Sequence, residues 1–207
     1  MTMWLPCLLW VTVFQTVEAC IGRRASHSFE NLALIGVAIW ALWSDVPCTL
    51  SSLFEDDPVR IPTPALSIYF GHVVRLWLDV WYPRDALPDS PEVLVYHHAV
   101  VTAYSLVSFS HYRVMSCVLC IWFSTSDAFL HASRALPKRH PLKLPLLALF
   151  ALTWMVLRVA CFGTVAVLFA AYAEPCTAKR AVVVIHSSLV PLMVRWARKI
   201  VRTARLT

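Results

Sequence analysis

Seven long apolar stretches constrain the fold of this chain more than any other feature. A helix that crosses a bilayer needs about 20 mostly apolar residues, with a range of about 17 to 25. The stretches cover residues 3–17, 29–43, 65–81, 93–109, 114–131, 144–172 and 181–194. Helix is the expected state, because backbone exposed to lipid must satisfy its own hydrogen bonds. The sequence therefore predicts an all-α, polytopic membrane protein with about seven transmembrane helices.

Composition agrees with that prediction and excludes most other classes. Of the 207 residues, 59% are hydrophobic and only 14% are charged, whereas soluble domains are about 45–50% apolar and about 25% charged. A disordered chain, a coiled coil and almost any water-soluble enzyme are thereby excluded. The net charge of +6 arises from short basic clusters between the apolar stretches. Such clusters are typical of contact with the anionic cytoplasmic leaflet, so we expect no nucleic-acid partner.

The first apolar stretch allows two interpretations. Val17, Glu18 and Ala19 resemble a small-residue cleavage site, which would suit a signal peptide. Residues 1–3, however, carry no positive side chain, and we favour a retained helix; cleavage would leave six spans. On this interpretation residues 1–25 form an N-terminal transmembrane segment or signal anchor, and residues 26–204 form the main domain.

The distribution of Lys and Arg predicts the orientation. With seven spans, most basic residues fall on one side of the membrane, including Arg134, Lys138 and the cluster from Arg195 to Arg202. Cytoplasmic loops carry an excess of Lys and Arg. We therefore expect a luminal N-terminus and a cytosolic C-terminus.

The seven cysteines do not indicate a metal site. Cys117 and Cys120 form a C-x-x-C pair inside an apolar stretch, where cysteine behaves as a small hydrophobic residue. A zinc or redox site of this spacing usually needs a second pair or a polar setting. Neither a metal nor another cofactor is predicted. Cys48 and Cys176 fall in predicted loops on one side of the membrane, which leaves a disulfide between them open.

Ionisable residues inside the apolar stretches are the candidate functional residues, because charge at membrane depth is costly. His72, Arg75 and Asp79 are spaced by three and four and share one face of a helix. They predict either an Arg75–Asp79 ion pair or a polar wall of an internal cavity. Both interpretations remain open at this point.

The next two stretches carry further candidates. His97 and His98 are adjacent, so their side chains point about 100° apart on a helix. Asp127 and His131 are spaced by four and could hydrogen-bond along one face. A carboxylate beside an imidazole orients the ring; alternatively, Asp127 pairs structurally with His131, His97 or Arg158. Arg158 must find a partner, for which Asp127 or Asp79 is suitable.

These residues, in this order, resemble the TLC domain, a family that includes ceramide synthases and a group of small membrane proteins linked to lipid composition. The similar pieces, spread over about residues 26–204, are His97-His98, Ser126-Asp127-Ala128-Phe129-Leu130 with Arg134, Asp79 after Tyr69, Arg158, and Trp196 with Lys199-Ile200-Val201-Arg202. The resemblance implies a ring of about six helices around a tunnel with the histidines near its interior. It also implies residence in the endoplasmic reticulum or a related membrane.

The departures from the synthase pattern place this chain closer to the small, non-synthase group. In ceramide synthases the histidine pair and two aspartates are associated with acyl transfer from acyl-CoA to a sphingoid base. Here Ser124 replaces an expected aspartate, and His131 stands at another expected acidic position. One of the two carboxylates is therefore missing unless Asp79 supplies it.

The favoured hypothesis is a TLC-domain-like protein of membrane lipid homeostasis that binds lipid in an internal cavity. The alternative is a ceramide-synthase-like N-acyltransferase, with acyl-CoA and a sphingoid base as substrates. In that case His97 or His98 would be the base or acyl acceptor and Asp127 would orient it. A transporter is a third possibility. The first two predict that Asp127, Arg158 and a histidine meet at one cavity. His72, Arg75, Asp79 and His131 are expected to line it or to stabilise the fold.

Overall fold

The computed structural model describes residues 4–43, 53–55, 63–81, 90–173 and 175–204. The elements in these ranges are α1 (Trp4–Ile21), α2 (Arg23–Trp43), α3 (Thr63–Trp81), α4 (Pro91–His111), α5 (Arg113–Ala135), α6 (Lys143–Thr153), a π-helical stretch (Trp154–Cys161), α7 (Phe162–Tyr172) and α8 (Thr177–Ala204). α6, the π-helical stretch and α7 form one continuous helix, Lys143–Tyr172. No strand occurs in the described ranges. The all-α prediction is confirmed, and each predicted stretch lies in a helix.

Two helices are longer than their apolar stretches. α2 begins at Arg23 rather than at residue 29, and α8 runs from Thr177 to Ala204 rather than over 181–194. The first turns of α2 are polar, yet Ser26 and His27 are buried. Packing against neighbouring helices therefore extends α2 where hydrophobicity alone would end it.

Among the described residues, the helices long and apolar enough to cross a membrane are Trp4–Ile21, Arg113–Ala135, Lys143–Tyr172 and Thr177–Arg202. The first, third and fourth of these present large apolar side chains at the surface, since Leu8, Leu152 and Val184 are exposed. Large exposed apolar surface of this kind suits contact with lipid. The protein is thus an integral membrane protein. α2, α3 and α4 contain charged residues and histidines that lower their hydropathy, and a total of seven spans stays a prediction.

Gly22 joins α1 to α2 in a tight reversal. Its φ is +84°, a left-handed conformation that ends helices and favours glycine. The Gly22 amide donates to the Glu18 carbonyl oxygen at 2.9 Å. The chain then starts α2 immediately, and the Ser26 hydroxyl donates to the Phe14 carbonyl oxygen at 3.2 Å. α1 is consequently packed on the helices that follow it.

The helices pack in a closed cycle of neighbours: α1, α2, α5, the α6–α7 helix, α8, α4, α3 and again α1. α5 contributes to two apolar cores. One contains Met115, Leu119, Phe162 and Phe169 from α5 and α7. The other contains Leu34, Ala38, Ala41 and Ala65 from α2 and α3, with Cys117 and Cys120 from α5. The cycle agrees with the expected ring of helices, and the tunnel stays a prediction.

The structure describes every cysteine of the chain except Cys48. Cys48 lies outside the described residues, so its pairing with Cys176 is untested. Cys176 Sγ lies 3.3 Å from the Tyr112 hydroxyl oxygen. Cys117 and Cys120 are buried in the second apolar core. That location fits their interpretation as small hydrophobic residues.

Candidate functional site

The predicted site residues form two neighbouring groups. The first surrounds a residue that sequence reasoning missed, Glu30, and we name it the Glu30 cluster: Glu18, Arg23, His27, Glu30, His72, Arg75 and Asp79. The second we name the histidine-pair site: His97, His98, Asp127 and Arg158. The predicted polar residues thus form two groups rather than one site.

The Glu30 carboxylate is the centre of the first group and is fully buried. Its Oε1 accepts a hydrogen bond from Trp10 Nε1 at 3.0 Å and lies 3.2 Å from His72 Nδ1. Its Oε2 accepts from Arg75 Nε at 3.1 Å and lies 3.5 Å from His27 Nδ1. A buried carboxylate is tolerated only when its lone pairs are satisfied in this way. Glu30 therefore ties α1, α2 and α3 together.

Arg75 and Asp79 have different partners, which corrects one interpretation of their spacing. Arg75 binds Glu30 and also Glu18, with a distance of 3.3 Å from its NH2 to Glu18 Oε2. Asp79 Oδ1 lies 2.8 Å from Arg23 NH2, and Asp79 Oδ2 lies 3.1 Å from His27 Nε2. An Arg75–Asp79 pair on one helix is replaced by pairs between helices, because α1 and α2 present carboxylates and cations to α3.

His131 packs beside His27 of the Glu30 cluster and makes no hydrogen bond to Asp127 in the described ranges, although Asp127 is within electrostatic range. Its ring lies 4.9 Å, centroid to centroid, from the ring of His27. The predicted Asp127–His131 pair along α5 is therefore not the arrangement found. The reason is that the Asp127 carboxylate forms an ion pair with Arg158.

The Arg158–Asp127 ion pair anchors the histidine-pair site. Arg158 NH2 lies 2.6 Å from Asp127 Oδ2. The same guanidinium donates to the Ser126 hydroxyl oxygen at 2.8 Å and to the Phe123 carbonyl oxygen at 2.8 Å, and it lies over the Phe123 ring. Arg158 is buried, whereas the Asp127 side chain is 35% exposed. The predicted structural partnership of these two residues is present.

Arg158 lies within the π-helical stretch Trp154–Cys161, whose two buried residues are Trp154 and Arg158. π-helical turns are rare and occur frequently at functional sites. Because a π-helical turn contains more residues than an α-helical turn, it changes which side chains lie on the same face of this apolar helix. It leaves Arg158 directed towards α5 while Val156 and Val159 stay exposed.

The histidine pair lies on the first half of α4. The His97 ring packs edge-on against Trp196 of α8 at 5.0 Å, and the His98 ring packs edge-on against Trp77 of α3 at 6.0 Å. Nδ1 of each histidine is buried and has no hydrogen-bond partner among the described residues. Two adjacent imidazoles therefore each have a nitrogen available to a bound group.

The two histidines face different groups, as their angular separation on the helix predicts. His97 is within electrostatic range of Asp127 and Arg158. His98 is within electrostatic range of Asp79 and His72. Asp127, Arg158 and His97 thus lie in one region, and His98 connects that region to the Glu30 cluster. The cavity at which they are expected to meet stays a prediction.

Sequence reasoning missed Glu30, His27, Arg23 and His186. His27 and Glu30 stand three apart at the start of the second apolar stretch, and a helix beginning at Arg23 would have placed both on one face. His186 lies alone within the last apolar stretch. An ionisable residue at such a position is by itself a sign of function.

The fold and the site define a polytopic helical membrane protein with buried ionisable groups and an intramembrane histidine pair. The model of the TLC domain family matches residues 25–202. The chain belongs to the TLC domain family, a family of membrane proteins related to lipids. α1 lies outside the matched region. Comparisons with curated proteins and with solved structures found no match.

Proposed function

We propose that this protein binds a membrane lipid at the histidine-pair site and thereby acts in membrane lipid homeostasis. The observation that carries the proposal is an ion pair between the buried Arg158 and the partly exposed Asp127 beside two histidines with unpartnered Nδ1 atoms. Buried polar atoms in proteins are normally hydrogen-bonded. A lipid headgroup supplies hydrogen-bonding groups to the histidines while its tail remains in apolar surroundings.

A small apolar pocket between α2, α3 and α5 is lined by Leu34, Ala38, Ala41, Ala65, Tyr69 and Cys117. It has room for about one water molecule, so a lipid tail would have to widen it. The Tyr69 ring lies 6.2 Å from the His72 ring, so the pocket adjoins the Glu30 cluster. Small apolar residues next to polar groups fit a ligand that is itself amphiphilic.

An N-acyltransferase of ceramide-synthase type is the second candidate. The unpartnered Nδ1 atoms of His97 and His98 favour it, since an imidazole that acts as base or acyl acceptor needs a nitrogen free of other bonds. Acyl-CoA and a sphingoid base would be the substrates. Against this candidate stands Asp127, whose carboxylate is bound to Arg158 and does not orient a histidine.

We further propose residence in the endoplasmic reticulum with a cytosolic C-terminus. Arg24 donates to the Arg134 carbonyl oxygen at 3.2 Å, which places two basic segments at one end of the molecule. α8 ends in the exposed residues Arg198, Lys199 and Arg202. Basic segments favour the cytosolic side. The compartment rests on the family resemblance.

The test uses purified protein in lipid nanodiscs. The parent protein is compared with a His97→Ala/His98→Ala double variant, and His140→Ala serves as a histidine control in the α5–α6 connection. Co-purified lipids are identified by mass spectrometry. The same samples receive labelled acyl-CoA and sphinganine, and labelled amide and acylated protein are sought.

A lipid that co-purifies with the parent and with His140→Ala, but is depleted from the double variant, supports lipid binding. Amide formed by the parent and not by the double variant establishes the acyltransferase. Equal lipid retention in all three proteins, with no amide formed, would overturn both candidates. Gel filtration of each sample verifies that the variants remain folded.

A further inference from the structure

A separate group of buried polar side chains lies between α4 and α8. His186 of α8 is only 4% exposed. Its ring is stacked on Tyr104 of α4 at 5.0 Å with an interplanar angle of 25°. Phe162 and Phe169 pack against it edge-on, at 4.8 Å and 6.2 Å. The imidazole is thus enclosed by aromatic rings in the interior of the helix bundle.

Two imidazole nitrogens of this group lack partners. Within the described part of the chain, neither His186 ring nitrogen has a hydrogen-bond partner. Tyr104 and Ser108 are four residues apart on α4 and share a face, so their hydroxyls lie next to each other and have no other partner among the described residues. Tyr104 is 7% exposed and Ser108 is fully buried. Two unpartnered nitrogens beside two hydroxyls that have only each other indicate a site for another hydrogen-bonding group.

The surroundings of His186 determine which ligand group can bind there. No charged side chain in the described ranges interacts electrostatically with His186, whereas both Asp127 and Arg158 interact with His97. A neutral imidazole offers one donor and one acceptor, and a hydroxyl offers both functions. The complementary ligand group is uncharged and both donates and accepts hydrogen bonds. A hydroxyl has these properties, while a phosphate or an ammonium would bring an unpaired charge.

We propose that Tyr104, Ser108 and His186 form a second binding site, which takes the hydroxyl of an uncharged membrane lipid. The site lies between two helices whose outer faces are apolar, with Val184 and Val190 of α8 exposed next to it. Because the site itself is enclosed, the hydroxyl of a lipid would have to enter from the bilayer between α4 and α8.

This site is distinct from the histidine-pair site. Tyr104 lies seven residues beyond His97, which is two helical turns or about 10 Å along α4. The Arg158–Asp127 pair takes no part in it. The proposal consequently stands or fails independently of the function proposed for His97 and His98.

The experiment uses a monoacylglycerol with a photoreactive diazirine in its chain, added to the full-length protein in nanodiscs. We expect labelling of α4 and α8 peptides, competed by monooleoylglycerol and not by methyl oleate, which lacks a hydroxyl. His186→Phe keeps the aromatic stacking and removes both nitrogens, and it should lower labelling at least fivefold. Tyr104→Phe should lower it to a smaller extent.

Two controls make the result specific. Ser187→Ala alters an exposed hydroxyl that bonds within its own helix and should leave labelling unchanged. The His97→Ala/His98→Ala variant should also retain labelling at this site. Equal labelling of the parent and His186→Phe, competition by methyl oleate, or no labelling of α4 and α8 would each overturn the proposal.

Thermal unfolding distinguishes a lipid from a bound water. Monooleoylglycerol should raise the Tm of the parent and not that of His186→Phe, because only a ligand that binds the folded site stabilises it. Without lipid, His186→Phe should unfold at the same Tm as the parent or higher. A variant Tm below that of the parent, with no lipid effect on the parent, would indicate water at the site and contradict the proposal.

Discussion

The Glu30 cluster and the histidine-pair site lie side by side but differ in how their polar groups are satisfied. In the Glu30 cluster, both oxygens of Glu30 and both oxygens of Asp79 have partners, and these come from several helices. His72 Nδ1 makes no hydrogen bond in the described ranges, but it lies 3.2 Å from Glu30 Oε1. In the histidine-pair site the Arg158–Asp127 pair is complete, whereas His97 and His98 each keep an unpartnered Nδ1 with no carboxylate of the described residues in contact. The Glu30 cluster therefore satisfies its carboxylates internally, and the histidine pair keeps unused hydrogen-bonding capacity.

The difference separates stability from binding. A buried group whose partners are all internal stabilises the arrangement of helices and has little left for a ligand. A buried polar group without a partner destabilises the protein that has no ligand, and a ligand that hydrogen-bonds to the group removes this penalty. We therefore expect substitutions in the Glu30 cluster to affect folding, and substitutions of His97 or His98 to affect ligand retention.

Removal of the central carboxylate should have the largest effect. Glu30→Ala leaves Arg75, His27 and His72 without their shared partner, and loss of one member of a buried ion pair costs about 3–5 kcal/mol. We expect the free energy of unfolding in detergent micelles to fall by that amount, measured by denaturant titration.

Glu92→Ala is the matched control, because Glu92 is exposed at the start of α4. It should lower the free energy of unfolding only slightly, and far less than Glu30→Ala, because an exposed carboxylate in the first turn of a helix contributes little to stability. If Glu30→Ala unfolds like the parent, the Glu30 cluster does not stabilise the fold and the comparison fails.

Arg158→Ala should have the next largest effect. The substitution removes contacts to Asp127, Ser126 and the Phe123 carbonyl oxygen. Because Asp127 is partly exposed and can be solvated, we expect a loss of about 2–3 kcal/mol, within the range for charged hydrogen bonds. The free energy of unfolding of Arg158→Lys should lie between those of the parent and Arg158→Ala, because an ammonium cannot reproduce the planar set of donors of a guanidinium.

The exposed Arg198→Ala provides the reference for loss of a cation in the same protein. The measurement is again denaturant unfolding, combined with lipid retention. An Arg158→Ala protein as stable as Arg198→Ala would show that the ion pair is dispensable for folding.

The helices were predictable because lipid imposes both length and hydrophobicity on a spanning segment. His97, His98, Asp127 and Arg158 were found for the same reason, since ionisable residues stand out in apolar stretches. Their meeting in one region was predicted from the family resemblance and from the need of Arg158 for a carboxylate.

The Glu30 cluster was not predictable in the same way. His27 precedes the predicted stretch 29–43, and Glu30 is only its second residue, so neither stands out as an ionisable group deep in an apolar segment. The partners of Arg75 depend on which helices pack against α3, and spacing along one helix carries no such information. Glu18 is an example of a role that the sequence did not reveal. In the sequence it lies in a segment that resembles a cleavage site, whereas in the fold it binds Arg75.

The contact of α1 with α3 offers a smaller perturbation of the Glu30 cluster. A Cβ added to Gly71 would lie 3.0 Å from both the Cys7 carbonyl oxygen and Trp10 Cβ. Gly71→Ala should therefore push α1 away from α3 and weaken the Trp10–Glu30 bond. Overpacking of this kind costs about 1–3 kcal/mol, measurable as a lower midpoint of unfolding.

Gly36 gives the control for helix propensity, because a Cβ there meets nothing within 4 Å. Gly36→Ala should stabilise the protein by about 0.4–1 kcal/mol. If both alanine variants were stabilised equally, α1 would not pack closely on α3, and its link to the Glu30 cluster would be wrong.

The sharpest contrast is expected from two matched histidine substitutions, of which His97→Phe should have the smallest effect on stability. His27→Phe removes an imidazole whose two nitrogens contact Glu30 and Asp79, and it should cost about 1–3 kcal/mol, as for other partners removed from buried polar groups. His97→Phe removes an imidazole with an unpartnered Nδ1 and preserves a ring against Trp196. Its free energy of unfolding should change by less than about 0.5 kcal/mol.

Lipid retention in nanodiscs should show the reverse order. His97→Phe removes a nitrogen available to a headgroup, so the amount of co-purified lipid should fall, while His27→Phe should retain lipid in whatever fraction remains folded. Both proteins are measured by unfolding and by lipid mass spectrometry. If His97→Phe were the less stable of the two, or retained lipid as the parent does, the unpartnered nitrogen of His97 would not mark a binding site.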